Sequence, residues 1–312
     1  MLYITDEAVA AALDYSSVAT ELDCAYRDLA AGRAAIHPRQ RTRVGTFRLN
    51  TMGALWDARG VAGVKAYTAV DGAFHFVVTL FDSRLNRTLA VLAGTELTRL
   101  RTAAQTALIA TKIVSAPVKK IALFGAGFQG RAQAEALAAL MEFEEVAVVD
   151  PNASPQWCAS FSKETGIHIY VASPERAVRG AQLVVTATKS GTPVFDGNCL
   201  DDNAAVIAIG TSTAAGRELD DVVMDRAGAV IVEWKPQSLN EAGELVLWSN
   251  FEQGCGKVVD LAQLYAAEAA WPSAKNSITV FKSVGTGLAD VAAAWLAYQR
   301  VLASASQEEL QA

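Results

Sequence analysis

Three glycines and one acid carry the most explicit chemistry in this sequence. Gly125, Gly127 and Gly130 stand in the run IALFGAGFQGRAQAEALAAL, and Asp150 closes EEVAVVD twenty residues after Gly130. An apolar strand, a glycine turn and an amphipathic helix in that order form a cradle for a dinucleotide pyrophosphate. Gly125 permits the tight turn, Gly127 lets the backbone approach the phosphates, and Gly130 lets helix and strand pack closely. Phe128 and Gln129 lie in the same loop, where free N–H groups at the helix start face the phosphates. A carboxylate at Asp150 can bond both ribose hydroxyls and repels a 2′-phosphate, so NAD(H) is favoured and NADP(H) stays open. The competing reading is a structural turn with Asp150 capping a loop. Strand, turn, helix and acid occurring together weigh against it.

Elements that could hold such a site surround it. From Lys119 onward, short β-branched strands (IALFGAG, VAVVD, IHIYVA, LVVTAT, AVIAIG, AVIVE) alternate with helical or loop segments. That texture means a parallel sheet covered on both faces. KVVDL and ITVFKSVG read as two further strands. The chain before Lys119 differs. One helix is expected from Thr5 to about Gly32, capped by Thr5 with Asp6 and Glu7 at its positive end. The strands RVGTFRLNTMG, GVKAYTAV, FHFVVTLFD and RTLAVLAG then follow without helices between them, as in an antiparallel or mixed sheet. A long helix from Thr95 to Ser115 is broken by Ala116-Pro117, and GLADVAAAWLAYQRVLASAS closes the chain as another helix.

Composition bounds the partners. The 312 residues are 52% apolar and 19% charged, with a net charge of −6. This suits a well-packed protein of one or two domains and gives no support to nucleic acid or an anionic membrane as partner. Cys24, Cys158, Cys199 and Cys255, like His37, His75 and His168, are scattered, so no metal site is expected. The acidic start MLYITDEAVAAALDY is unlike a secretory signal, and no apolar run has the length of a membrane span. A soluble, cytoplasmic protein is the expectation.

Segments on either side of the glycine loop narrow the chemistry further. GVKAYT, ELTRLRTAAQTAL, IGTSTAAGRELDD and ITVFKSVGTGLAD occur in that order, and together they resemble the ornithine cyclodeaminase/μ-crystallin family over nearly the whole chain. The resemblance implies a Rossmann NAD-binding domain (117–285) inserted into an α+β substrate-binding and dimerisation domain (1–116 plus 286–312), working as a homodimer. It places Lys65 as the active-site lysine and Arg101 as a grip on the substrate carboxylate. A second grip comes from Arg39, Arg41 or Arg43, with Arg41 fitting the pattern best. Thr188, Gly210 and Ser283 join the glycine loop as expected cofactor contacts; Thr102 either reaches the cofactor or substrate or back-bonds within its helix. Two guanidinium forks can orient an α-amino or α-imino acid, and a lysine in a partly dry pocket can exchange protons with a substrate nitrogen. Taken alone, Lys65 would more often be an edge-strand lysine, and Arg101 an ion-pair arginine on a helix surface. Glu233-Trp234 either lines the pocket or ends a simple loop.

Two departures from the family pattern matter. Cyclodeaminases of the family carry an aspartate in the loop after the fifth Rossmann strand, where this sequence has Ser212. A hydroxyl cannot replace a carboxylate as a base at neutral pH, whereas hydride addition to C=N needs only a positioned NADH, a carboxylate clamp and one proton. Similar serine loops followed by RELDD belong to the family's reductase-like members. The expected activity is therefore NAD(P)H-dependent reduction of an α-imino acid, such as pyrroline- or piperideine-2-carboxylate, to an α-amino acid, with Lys65 and Ser212 at the reacting centre. Competing readings are deaminating cyclisation of ornithine, oxidative cleavage of an N-(carboxyalkyl)amino acid, and a non-catalytic binding protein. The second departure is Met52-Gly53 in place of Met-Pro, which predicts a more mobile turn beside the pocket.

Overall fold

The computed structural model describes residues 1–70, 73–115, 117–267, 271–273 and 277–311, with side chains in the last helix described to residue 306. The chain divides into two compact units, Met1–Gln105 with Thr286–Ala312, and Thr106–Gly285. The first boundary falls within a continuous helix, before the Ala116-Pro117 break. Ala116 itself lies outside the described residues.

The first unit is built on a six-stranded sheet. Its strands are β1 (Leu2–Ile4), β2 (Ala34–Val44), β3 (Phe47–Trp56), β4 (Val61–Val70), β5 (Ala73–Asp82) and β6 (Arg87–Ala93), in the order β1-β6-β5-β4-β3-β2. Antiparallel pairing runs from β2 to β6, and β1 joins β6 in parallel. The run RVGTFRLNTMG is a hairpin rather than one strand. Its turn passes through Gly45 at φ +59°, a conformation that suits glycine. The expected single N-terminal helix is two, α1 (Asp6–Ala12) and α2 (Tyr15–Ala30). Thr5 caps the first, accepting from the Ala8 N–H at 3.3 Å. Asp14 takes extended backbone and caps the second through the Ser17 N–H at 2.9 Å. That local bond competes with helix continuation.

Register places Met52, Lys65, Val78 and Leu92 in one line across β3, β4, β5 and β6, on one face of the sheet. The last helix (Gly287–Gln311) covers that face, and a Cβ on Gly63 would meet Val291 at 2.7 Å. Gly53 is not in a turn. It is buried in the middle of β3 opposite Val64, and a Cβ on Gly287 would lie 2.2 Å from its carbonyl oxygen. Gly287 therefore sets how closely the helix start meets the strand, while a Cβ on Gly53 would stand 2.3 Å from the Gly63 carbonyl oxygen of β4.

The second unit is an eight-stranded parallel sheet. Its strands are β7 (Lys120–Phe124), β8 (Glu145–Val149), β9 (His168–Val171), β10 (Leu183–Thr186), β11 (Ala205–Ala208), β12 (Ala227–Val232), β13 (Val258–Asp260) and β14 (Ile278–Lys282), in the order β13-β12-β14-β11-β10-β7-β8-β9. Strands β10, β11 and β14 are buried at every position, as the apolar runs require of a sheet covered on both faces. After β7 the chain moves outward to β8 and β9, then returns to add β10 on the other side. That reversal is a topological switch point, where doubly wound sheets bind nucleotides at their C-terminal ends. Among the described residues no helix is long and apolar enough to cross a membrane.

Candidate cofactor and substrate sites

The glycine loop joins β7 to α4 (Phe128–Leu140) at the switch point. Gly125 has φ +98°, and a Cβ there would stand 2.6 Å from the Ala187 carbonyl oxygen. A Cβ on Gly130 would lie 1.9 Å from the Gly125 carbonyl oxygen. Both glycines are thus fixed by the protein's own packing. Gly127 is different: as N-cap of α4 it lends no side-chain bond, and a Cβ there would have no protein atom within 4 Å. Packing does not call for a glycine at this position, but a pyrophosphate lying on the helix start does. The Asp150 carboxylate reaches back to this loop. One oxygen accepts the Ala126 N–H at 2.7 Å and the other the Asn152 N–H at 2.7 Å. Each oxygen keeps a second lone pair for a hydroxyl donor. The residues present fit a dinucleotide. Phe128 is exposed at the start of α4, and the Gln129 side-chain carbonyl accepts from Gln133 at 3.5 Å.

Buried carboxylates shape the neighbouring loops. Glu218 accepts the Thr188 N–H (2.8 Å), the Thr188 hydroxyl (2.7 Å) and the Gly210 N–H (2.7 Å). It thereby brings together two of the expected cofactor contacts from the loops after β10 and β11. The Glu218 N–H donates to Glu244 Oε1 at 2.8 Å. Lys282 Nζ forms an ion pair with Glu244 Oε2 at 3.0 Å, both side chains being fully buried, and donates to the Thr211 carbonyl at 2.6 Å. Ser212 is half-buried next to that anchored carbonyl. Glu233 follows β12 directly. It is fully buried and accepts the Ser283 hydroxyl (2.7 Å), the Val284 N–H (2.8 Å) and the Gly285 N–H (3.0 Å). The Ser283 hydroxyl is thereby held by the protein itself. Lys282 and Glu244 escaped sequence reading, although a lysine ending the apolar run ITVF was a visible signal.

In the first unit, β4 and the long helix α3 (Thr95–Ile113) bring Lys65 and Arg101 to one carboxylate. Lys65 Nζ lies 2.9 Å from Asp290 Oδ1, and Arg101 Nε lies 2.9 Å from the same oxygen. Lys65 also donates to the Thr98 hydroxyl at 2.6 Å and stands 4.6 Å from the centre of the Phe76 ring. It is 2% exposed, so it is not the solvated edge lysine its strand position allows. Burial pulls the Lys65 ammonium down to about 8; Asp290 opposes that shift, while Arg101 and Arg39 add to it. Burial pushes the Asp290 carboxyl up, but Arg101 and Lys65 outweigh it and hold the group below the usual carboxylate range.

Of the three candidate arginines on β2, Arg39 is the one brought toward Lys65. It is half-buried, with Nη2 3.5 Å from the sulfur of Met52, the residue paired with Lys65. A bulge between His37 and Gln40 puts it there. Arg41, the residue the sequence pattern favours, lies opposite Asn50 and is exposed, and Arg43 bonds the Gly45 carbonyl in the hairpin turn. Thr102 is half-buried beside Arg101. Asp290 went unassigned in the sequence, although an acid in the first turn of an alanine-rich helix marked it.

A Rossmann-type unit with a dinucleotide cradle, together with an α+β unit holding a buried lysine–aspartate–arginine cluster, defines a two-unit nucleotide-dependent protein of amino-acid or imino-acid chemistry. The chain belongs to the ornithine cyclodeaminase/mu-crystallin family, which it matches over residues 2–305. It is 31% identical over 254 residues to a Delta(1)-pyrroline-2-carboxylate reductase of Bacillus cereus, covering 77% of each chain. The fold superposes with TM-score 0.92 on a probable ornithine cyclodeaminase from Bordetella pertussis, 40% identical over 97% of this chain and 98% of that one. It also superposes with TM-score 0.90 on an archaeal alanine dehydrogenase dimer with bound NAD, 25% identical over 97% of both chains.

Proposed function

We propose that this protein is an NADH-dependent reductase of α-imino acids, forming α-amino acids by hydride addition at C=N. The observation that carries the reading is the buried Lys65, held between Asp290 and Thr98 with two arginines acting on it. Gly125, Gly127, Gly130 and Asp150 hold the cofactor, with Thr188, Gly210 and Ser283 on the loops around it. NADH held there would supply a hydride for the imine carbon. Arg101 and Arg39 grip the substrate carboxylate and fix which face of the imine is presented. Lys65 Nζ gives one proton to the substrate nitrogen, which ends as the amine, and regains a proton from solvent. An ammonium whose pKa lies near 8 is well matched to that task at neutral pH. The likeness to a pyrroline-2-carboxylate reductase supports a cyclic imine as substrate.

The likeness to a probable ornithine cyclodeaminase favours a second reading. Ser212 counts against it, because ornithine cyclisation needs a base where this chain has only a hydroxyl. Asp150, bonded to the glycine loop, supports NADH over NADPH. A homodimer is supported by the uncovered face of the six-stranded sheet. Tyr3, Leu49, Leu55 and Phe81 are exposed there, and apolar surface of that kind is stabilised by a second copy. The deciding experiment follows NADH consumption with a panel of cyclic and acyclic α-imino acids, with L-ornithine plus NAD⁺ as control. Turnover of an imine without proline from ornithine is expected. Proline and ammonia from ornithine would give the site to the second reading.

A further inference from the structure

One oxygen atom in the first unit serves two partners. Asp290 Oδ1 accepts from Lys65 Nζ and from Arg101 Nε, each at 2.9 Å, while Asp290 Oδ2 is buried with no hydrogen-bond partner among the described residues. Resting on the function proposed above, we infer that Asp290 is a positioning residue that ties the carboxylate clamp to the acid, so that a carboxylate arriving at Arg101 arms Lys65 as a proton donor.

The argument follows from the charges facing Lys65. The last helix contributes Asp290. Helix α3 contributes Arg101 and the hydroxyl of Thr98, β2 contributes Arg39, and β5 contributes the uncharged Phe76 ring. Before substrate arrives, the two arginines repel the proton on Lys65, and among the described charged groups facing it Asp290 is the one that retains it. Arg101 meets Asp290 through Nε, which leaves the Nη1/Nη2 edge of its fork as the docking edge for a second carboxylate. A substrate carboxylate there cancels the repulsion from Arg101, and from Arg39 where it bridges both. It also adds a negative charge close to Lys65. Both effects favour the ammonium. Because Arg101 and Lys65 share Oδ1, Arg101 is held where that change is felt by the lysine. The donor is therefore charged when there is something to protonate, and loses its proton more readily when the site is empty.

Proton uptake on ligand binding tests this without relying on turnover. Pyrrole-2-carboxylate, a stable planar carboxylate, is titrated calorimetrically into the NADH-loaded protein at pH 8.5 in buffers of different ionisation enthalpy. If binding raises Lys65 by about one pH unit from about 8, uptake is roughly half a proton per site. Lys65→Met abolishes the uptake. Asp290→Asn, checked for folding by circular dichroism, moves the uptake to lower pH, and Asp290→Glu restores it at least in part. A merely structural role for Asp290 weakens binding without moving that pH. Binding without uptake, uptake unchanged in Lys65→Met, or no binding at all overturns the inference. Uptake in a protein that reduces no imine leaves the inference standing and removes only the assigned reaction. With a turned-over imine, the basic limb of kcat lies about one pH unit above that of kcat/KM, and coincident limbs also overturn the coupling.

Discussion

Replacing Lys282 by Met tests whether the buried pair in the second unit holds the loop that carries Ser212. Lys282 is fully buried, pairs with Glu244 at 3.0 Å and donates to the Thr211 carbonyl at 2.6 Å. Methionine nearly matches the volume but leaves a buried carboxylate without its cation, which costs about 3–5 kcal/mol. It also strips the Thr211 carbonyl of a donor, for about 1–3 kcal/mol more. Even with relaxation, a loss of about 4 kcal/mol is expected. For a unit of this size that lowers the melting midpoint by on the order of 10 °C. Thermal unfolding by circular dichroism measures the loss. Adding Glu244→Gln neutralises the stranded charge while keeping an oxygen for the Glu218 N–H. The double variant is therefore more stable than the sum of the single losses by about 2 kcal/mol. NADH affinity, followed by fluorescence, falls in Lys282→Met because residues 210–212 lose their anchor. Strictly additive losses, or a Lys282→Met protein within 1 kcal/mol of the parent by the same estimate, would refute the assignment of this pair as the loop's support.

Three other outcomes are expected. Asp150→Ser weakens NADH binding and narrows the preference over NADPH, both read by equilibrium titration; an unchanged preference removes Asp150 from the ribose site. Gly287→Ala drives a methyl group against the Gly53 backbone and shifts the start of the last helix, with Asp290 three residues on. It loses about 1–3 kcal/mol of stability and more of kcat than of NADH affinity, whereas parent-like stability and rate would mean that the contact is slack. Ser212→Asp does not by itself release ammonia from L-ornithine, because the surrounding loop also departs from the cyclodeaminase pattern. Ammonia release by that single variant would make residue 212 the sole divide between the two reactions.

What could be read from the sequence was local. The glycine loop, Asp150 and the parallel strands announce themselves by period and spacing, and their structure needs only neighbours along the chain. Lys65 and Arg101 were found through motif resemblance, but their shared partner was not, because Asp290 lies 225 residues beyond Lys65. That Arg39, rather than Arg41 or Arg43, approaches Met52 and Lys65 goes with an irregularity between His37 and Gln40, which no alternation pattern reveals. Strand β2 was not recognised as a separate strand because it is an edge strand, polar and containing Pro38, and so lacks a regular apolar alternation. The division of α1 from α2 depended on Asp14 capping forward instead of extending a helix. Gly53 reads as a turn residue in the sequence, but its lack of a side chain has its reason in the Gly63 carbonyl of the paired strand, 2.3 Å from where a Cβ would stand.

The place of β14 in its sheet has a consequence for how the chain is made. β14 stands between β11 and β12, and β12 bonds only to β13 and β14. Until residues 278–282 leave the ribosome, the pair β12–β13 has no link to the rest of the parallel sheet. Two strand edges meanwhile stay open, on β11 and on β12. At about 5–20 residues per second the interval from β11 to β14 lasts several seconds, with fully apolar edges available for wrong pairing. The first unit waits longer still, since the helix that brings Asp290 to Lys65 is synthesised after β14. A nascent chain stalled in that window has all of its glycine loop but neither a closed sheet nor a neutralised lysine. It is the species that chaperones and proteases would be expected to meet.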